Sequence, residues 1–200
     1  MLTVDKVDKQ LRKDAIIKGL MLGFTVLALS IFSFYFITAL TKTMSFIVAG
    51  PYIFAVVLPI TATALFCFSM RKKLGGYWTF RQAVTGIFLM FLISYAVLTV
   101  GRDLVFAKLI EPDMAPKTEA VMLNVRKASL KISGASAREI NKQDAELKKE
   151  FAGQKSPGIL PVLQNYMLNI IMLFVLAIIF AAIFKKDPPY IEKEIVVVEE

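Results

Sequence analysis

The chain has 200 residues, of which 56% are hydrophobic and 20% charged, with a formal charge of +8, one cysteine and no histidine. Soluble domains are about half apolar and about a quarter charged. This balance, with a single Cys67, excludes a soluble enzyme, a disordered polypeptide and a disulfide scaffold.

The distribution of charge says more than its total. Four stretches hold no Asp, Glu, Lys or Arg: 19–40, 43–70, 82–101 and 156–184. A hydrocarbon core of about 30 Å takes roughly 20 apolar residues in a helix. The predicted fold class is therefore all-α, an integral membrane bundle of four transmembrane helices forming one domain over residues 1–200. The spans are placed at 16–40, 44–70, 80–110 and 159–184. A polar helical segment at 111–155 makes an extracytoplasmic excursion between spans 3 and 4, and 187–200 form a cytoplasmic tail.

Residues 2–16 put Val4, Val7 and Leu11 at helical spacing. They read as a short interfacial helix with its basic side on headgroups, or as a frayed polar leader. The apolar run that follows is longer than a signal-peptide core of about 7–15 residues, so it reads as an uncleaved first span. Gly19 and Gly23 form a G-x-x-x-G that allows close helix approach, read here as packing within the chain rather than a dimer seam. In span 2, Gly50-Pro51 and Pro59 predict a kinked helix. Pro161, at the start of span 4, does not mirror them, which favours a structural kink over a transporter's broken helix. Cys67 reads as a small buried hydrophobe.

The junction Arg71-Lys72-Lys73-Leu74-Gly75-Gly76-Tyr77-Trp78-Thr79-Phe80 is dense in signals. Its basic triplet fits anionic headgroups, Gly75-Gly76 permits a tight turn, and Tyr77 and Trp78 suit an aromatic belt. Thr79 and Gln82 fit a capping box that starts the next helix. The helical pattern of span 3 continues to Pro112, about 48 Å at roughly 1.5 Å per residue. Beyond it, Val121, Val125 and Leu130 mark one amphipathic helix, ended at Gly134, and Ser136 to Glu139 forms a second capping-box pattern. This segment has too few large apolar residues to fold alone. Asp187-Pro188-Pro189 ends the last helix, and Ile195–Val198 belong to a disordered tail or a strand added to a partner's sheet.

Short cytoplasmic segments collect Lys and Arg. Residues 1–18 carry Lys6, Lys9, Arg12, Lys13 and Lys18, the second connection carries Arg71, Lys72, Lys73 and Arg81, and Lys185 and Lys186 follow span 4. Both termini are thus expected in the cytoplasm. The third connection has eleven basic residues diluted among eight acids, and a connection of that length obeys the charge rule poorly.

The run Gly75-Gly76-Tyr77-Trp78-Thr79-Phe80, followed by Ala83 and Gly86, resembles the signature of a four-span bacterial membrane family known as domain of unknown function 4199. The family pattern has serine where this chain has Thr79, which keeps the hydroxyl. Ile110-Glu111-Pro112-Asp113 resembles the family's exit from span 3. The likeness extends over residues 12–186. It implies an inner-membrane protein of four helices and brings no activity, cofactor or catalytic residue.

Polar groups inside a membrane are costly and therefore informative. Tyr95, Thr99 and Arg102 share a face of span 3, with Asp103 beside them, and Gln164, Asn165 and Asn169 lie at similar depth on span 4. If the faces meet they form a polar cluster suited to a headgroup, a polyprenyl phosphate or a polar solute, with Arg102 suited to a phosphate through its planar fork of donors. Inter-helix hydrogen bonding with an Arg–Asp pair is the plainer reading. No catalytic residue, metal or cofactor is expected, and no nucleic acid. The expected partners are the bilayer and a membrane-protein partner or second copy. The leading expectation is a non-enzymatic scaffold or accessory subunit, and the alternative is a small transporter or lipid-binding protein.

Overall fold

The computed structural model describes residues 4–41, 43–132, 134, 136, 138–143, 145, 146, 149 and 159–187. Helix α1 (Val4–Tyr35) runs on into a π-helical segment, Phe36–Leu40. Helix α2 (Met44–Tyr52), a π-helical segment at Ile53–Val57 and α3 (Leu58–Lys73) follow one another. Helix α4 (Phe80–Leu98) continues as a π-helical stretch, Thr99–Ile110. Helices α5 (Met114–Ile132) and α6 (Ile159–Phe184) complete the set, with residues 138–143 helical between them. Four runs are long and apolar enough to cross a membrane: Asp8–Leu40, Ser45–Lys73, Phe80–Ile110 and Leu160–Phe184. The protein is all-α, with no strand longer than an isolated bridge among the described residues.

Hydrocarbon offers backbone groups no water, so a spanning segment must satisfy them within itself. Four threonine hydroxyls of the spans follow the same rule. Thr25, Thr38, Thr61 and Thr85 each donate to the carbonyl four residues back, on Met21, Phe34, Val57 and Arg81, at 2.7–2.9 Å. In span 2 the donors absent at Pro51 and Pro59 flank the wider turns of Ile53–Val57.

The tightest seam joins span 1 to span 3. A Cβ on Gly19 would lie 2.8 Å from Ile93 Cβ and 2.8 Å from the Met90 carbonyl oxygen; on Gly23 it would lie 2.7 Å from Val97 Cβ. Gly86 meets Leu11 in the same way, and Gly101 meets Leu27. The G-x-x-x-G of span 1 thus seats its backbone against α4 of the same chain.

One end of the bundle is knitted around Trp78. Gly75 and Gly76 make the turn there with φ of 89° and 88°, a region open to glycine at little cost. The Thr79 hydroxyl accepts from the Gln82 amide and the Gln82 side chain accepts from the Thr79 amide, so the expected capping box forms. Trp78, expected on an aromatic belt, is instead buried at 1% exposure. Its Nε1 donates to the Phe184 carbonyl at 2.7 Å, and its backbone exchanges two hydrogen bonds with Lys186. Arg71 donates to the same Phe184 carbonyl at 3.3 Å. An indole and a cation thus serve the carbonyl end of α6, where backbone acceptors have no helical partner.

The polar N-terminal segment is neither a separate interfacial helix nor a frayed leader. From Val4 it belongs to α1, and Leu11, Asp14 and Ala15 are buried. The reason is local. Leu11 fills the hollow left by Gly86, Lys73 pairs with Asp14 at 3.0 Å, and Gln82 donates to Asp8 at 3.5 Å. The expected ends of the polar segment hold where described: α5 stops at Ile132, Gly134 has φ of 74°, and the Glu139 amide donates to the Ser136 hydroxyl at 3.3 Å. Residues 151–158 and the tail beyond Asp187, including Ile195–Val198, lie outside the described residues.

Overpacking a close helix contact costs about 1–3 kcal/mol. Gly23→Val should therefore lower the thermal unfolding midpoint of the detergent-purified protein clearly, whereas Thr25→Val, at an exposed self-bonded hydroxyl, should leave it nearly unchanged; circular dichroism melts compare them.

Candidate functional site

The opposite end of the bundle is looser, and three π-helical segments lie in that half: Phe36–Leu40, Ile53–Val57 and Thr99–Ile110. π-Helical turns are rare and gather at functional sites. Aromatic rings fill the widened space between them. Phe54 stacks edge-on to Phe32 and Phe36, with centroids 5.0 and 5.4 Å apart, and Phe34 does so to Phe106 at 5.7 Å.

Two chambers open between the spans, the upper one in this half and the lower one reaching past the middle of the bundle toward the Trp78 end. The lower one, about 420 Å³, takes lining from all four spans, among them Leu22, Pro59, Phe91, Leu173 and Phe180. Thr63, Ser94 and Tyr95 are the hydroxyl-bearing residues of its mostly apolar wall. The upper one, about 280 Å³, lies between spans 1, 2 and 3 beneath α5. Val26, Ala55 and Leu98 line both, so the chambers abut. The upper chamber is the polar one: Ser30, Ser33, Arg102 and Thr118 line it, and Arg102 is its one ionisable residue. Met114, Thr118 and Met122, spaced four apart on α5, form its roof.

Arg102 stands 22 positions beyond Phe80, roughly 33 Å along the helix, near the far edge of the hydrocarbon. It makes no hydrogen bond or ion pair among the described residues. Asp103 is exposed and does not line the chamber, so the two do not pair; adjacent helical residues do not face each other. Ser30 and Ser33 also lack a hydrogen bond among the described residues. They differ in this from Thr25, Thr38, Thr61 and Thr85, and from Thr118, whose hydroxyl donates to Met114 at 2.8 Å.

The sequence-derived polar cluster divides in two. Asn169 donates to the Tyr95 hydroxyl at 3.2 Å, and Tyr95 packs edge-on to Tyr166 with centroids 6.4 Å apart. Tyr95 also lines the lower chamber. Gln164 and Asn165 are exposed on α6 and make no hydrogen bond among the described residues. Thr99 lies in the π-helical stretch outside both linings. Arg102 joins spans 1 and 2 and α5 rather than span 4. Its actual neighbours Ser30 and Ser33 carried only a weak sequence signal, a spacing of three that puts two small hydroxyls on one helix face. The junction residues Arg71, Lys73 and Trp78 are occupied in the contacts of the knitted end, and Lys72, Tyr77, Thr79 and Phe80 remain exposed.

Over residues 17–186 the chain matches the family described as Protein of unknown function (DUF4199), and it belongs to that family. No curated protein and no solved structure matches it.

The roof is fastened by one cluster. The Glu111 carboxylate, 15% exposed, accepts from Lys117 of α5 and from the Tyr35 hydroxyl at 3.3 Å. The hydrogen bond from Lys117 is the main influence holding the Glu111 carboxyl below its usual 4.5, and the hydrogen bond to Glu111 likewise raises the Lys117 ammonium above 10.5. A lowered carboxyl contributes its stabilisation fully above its unfolded value and loses it as pH falls through the lowered value. A raised ammonium contributes below its unfolded value and loses its part as pH rises through the raised one. Hydrogen exchange of α5 amides should therefore hold steady from pH 5 to 10 after correction for intrinsic exchange, and accelerate as pH drops below 4.5. Glu111→Gln should accelerate it throughout and abolish the acid step.

Proposed function

We propose that this protein is a non-enzymatic, multi-pass component of the bacterial inner membrane that holds an amphiphile inside its helix bundle. The observation that carries the reading is the pair of abutting chambers, one apolar and shared by four spans, the other polar and bearing Arg102. Binding sites for small molecules are concave, mostly apolar and oriented by a few polar groups, with volumes of about 300–1,000 Å³. The linings contain no carboxylate or thiol, and the chain has no histidine, so the cleft supplies donors without a general base.

The orientation follows from charge. Lys9, Arg12, Lys13, Arg71, Lys72, Lys73, Arg81, Lys185 and Lys186 surround the knitted end, which supports a cytoplasmic placing of that end, with the upper chamber toward the outer face. The accessory-subunit role keeps a specific support of its own. Gln164 and Asn165 stand uncovered on α6, whose buried positions Ala177, Ala181 and Phe184 all belong to its other half. Amide side chains join helices in membranes.

Native mass spectrometry of the protein released from membrane nanodiscs should show a bound species of lipid mass that persists when the detergent shell is stripped. An adduct of protein mass alone would favour the accessory role, and a bare monomer would remove both. A cysteine placed at residue 140 should react with a membrane-impermeant maleimide in intact spheroplasts, whereas reaction only after lysis would reverse the orientation.

A further inference from the structure

Resting on the amphiphile reading, we infer that the bound molecule carries a compact oxyanion head, of phosphate type, seated on Arg102 between the Ser30 and Ser33 hydroxyls. Its apolar tail descends into the chamber lined by Leu22, Pro59 and Phe91.

Three observations converge on this seat. The first is charge. Arg102 is the one ionisable residue lining the upper chamber, no acid shares the lining, and no acceptor among the described residues takes its donors. Arg102 is itself exposed and stands at the edge of the span, so its guanidinium is open to an anion at headgroup depth. Its planar fork fits an oxyanion bidentately.

The second is hydroxyl chemistry. Thr25, Thr38, Thr61 and Thr85 bond their own helix carbonyls, which is how a hydroxyl is satisfied in hydrocarbon. Ser30 and Ser33, which line the upper chamber, do not, and neither do Thr63 and Ser94 on the wall of the lower one. Two unspent donors from span 1 therefore lie across from the fork of span 3. An anion between them takes donors from two helices at once, where a neutral headgroup leaves the arginine unbalanced.

The third is depth. Arg102 sits near the hydrocarbon edge, where headgroups lie. Phe91, at the lower chamber's wall, is eleven residues nearer the knitted end, about 16 Å along the helix. The polar and apolar chambers are stacked along the membrane normal, as head and tail are in a lipid, and a free anion has no use for the lower one.

The test compares two probes that differ only in the head: a pyrene-tagged alkyl monophosphate and the uncharged alcohol of the same chain. Each is titrated into the intact protein in maltoside micelles and read by fluorescence anisotropy. Wild type should prefer the phosphate by at least about tenfold, the scale of one charge-assisted hydrogen bond. Arg102→Gln should erase the preference for the phosphate, and a thermal melt matching wild type reports an intact fold. Should Arg102→Gln not fold, the Ser30→Ala/Ser33→Ala double variant, which keeps the charge, should lower the preference severalfold. An undiminished preference in either folded variant overturns the seat. Displacement of the phosphate probe by inorganic phosphate at equal concentration overturns the amphiphile and leaves a free-anion site. If wild type binds both probes equally, the oxyanion inference fails and the amphiphile reading survives; if it binds neither, the amphiphile reading itself fails.

Discussion

Hydrocarbon cannot hydrogen-bond, and this constraint shapes the molecule from its backbone outward. It forces the spans into helices whose amides are satisfied internally. It turns four threonine hydroxyls onto carbonyls of their own helices. It brings Tyr95 and Asn169 together across two spans. Against that background the side chains that remain unsatisfied stand out. Arg102, Ser30 and Ser33 share one chamber, and the proposed binding reading rests on their convergence.

The two ends of the bundle are built on opposite principles. At the Trp78 end, glycines let spans 1 and 3 touch, a capping box starts α4, and Trp78 and Arg71 close the carbonyl end of α6. At the Arg102 end, prolines and π-helical turns widen the helices, and aromatic rings occupy only part of the room created. Both come from small sequence devices. Glycine removes volume where helices must meet, and proline removes a donor where the helix must loosen. The result is a vessel that is closed at one end and open inside at the other.

How much of this was legible varied with the range of the interaction. The four spans followed from runs without charge, and the capping box at Thr79 and the stop at Pro112 followed from local chemistry, because neighbours in sequence decide them. The Gly19–Gly23 contact was legible as a type of packing, though not its partners Ile93 and Val97. Trp78 was misread because amphipathic aromatics at a span end look alike whether they face headgroups or a helix carbonyl. Arg102 was grouped with Asn165 and Asn169 by depth alone. Depth follows from counting residues, but the rotation of one helix against another depends on side chains far apart in the chain. The π-helical stretch from Thr99 shifts that rotation further, since it departs from the 3.6-residue turn on which face assignments rest.

The family match begins at residue 17, yet the helix it enters is already packed by then. Leu11 occupies the space over Gly86, and Asp14 anchors Lys73, both from the stretch ahead of the match. The boundary of shared ancestry and the boundary of the folded body therefore do not coincide. A polypeptide trimmed to the matched region would leave a hole above Gly86 and Met70 and strand a lysine without its carboxylate. The leading turns of α1 are best regarded as the plug of the vessel, not as its label.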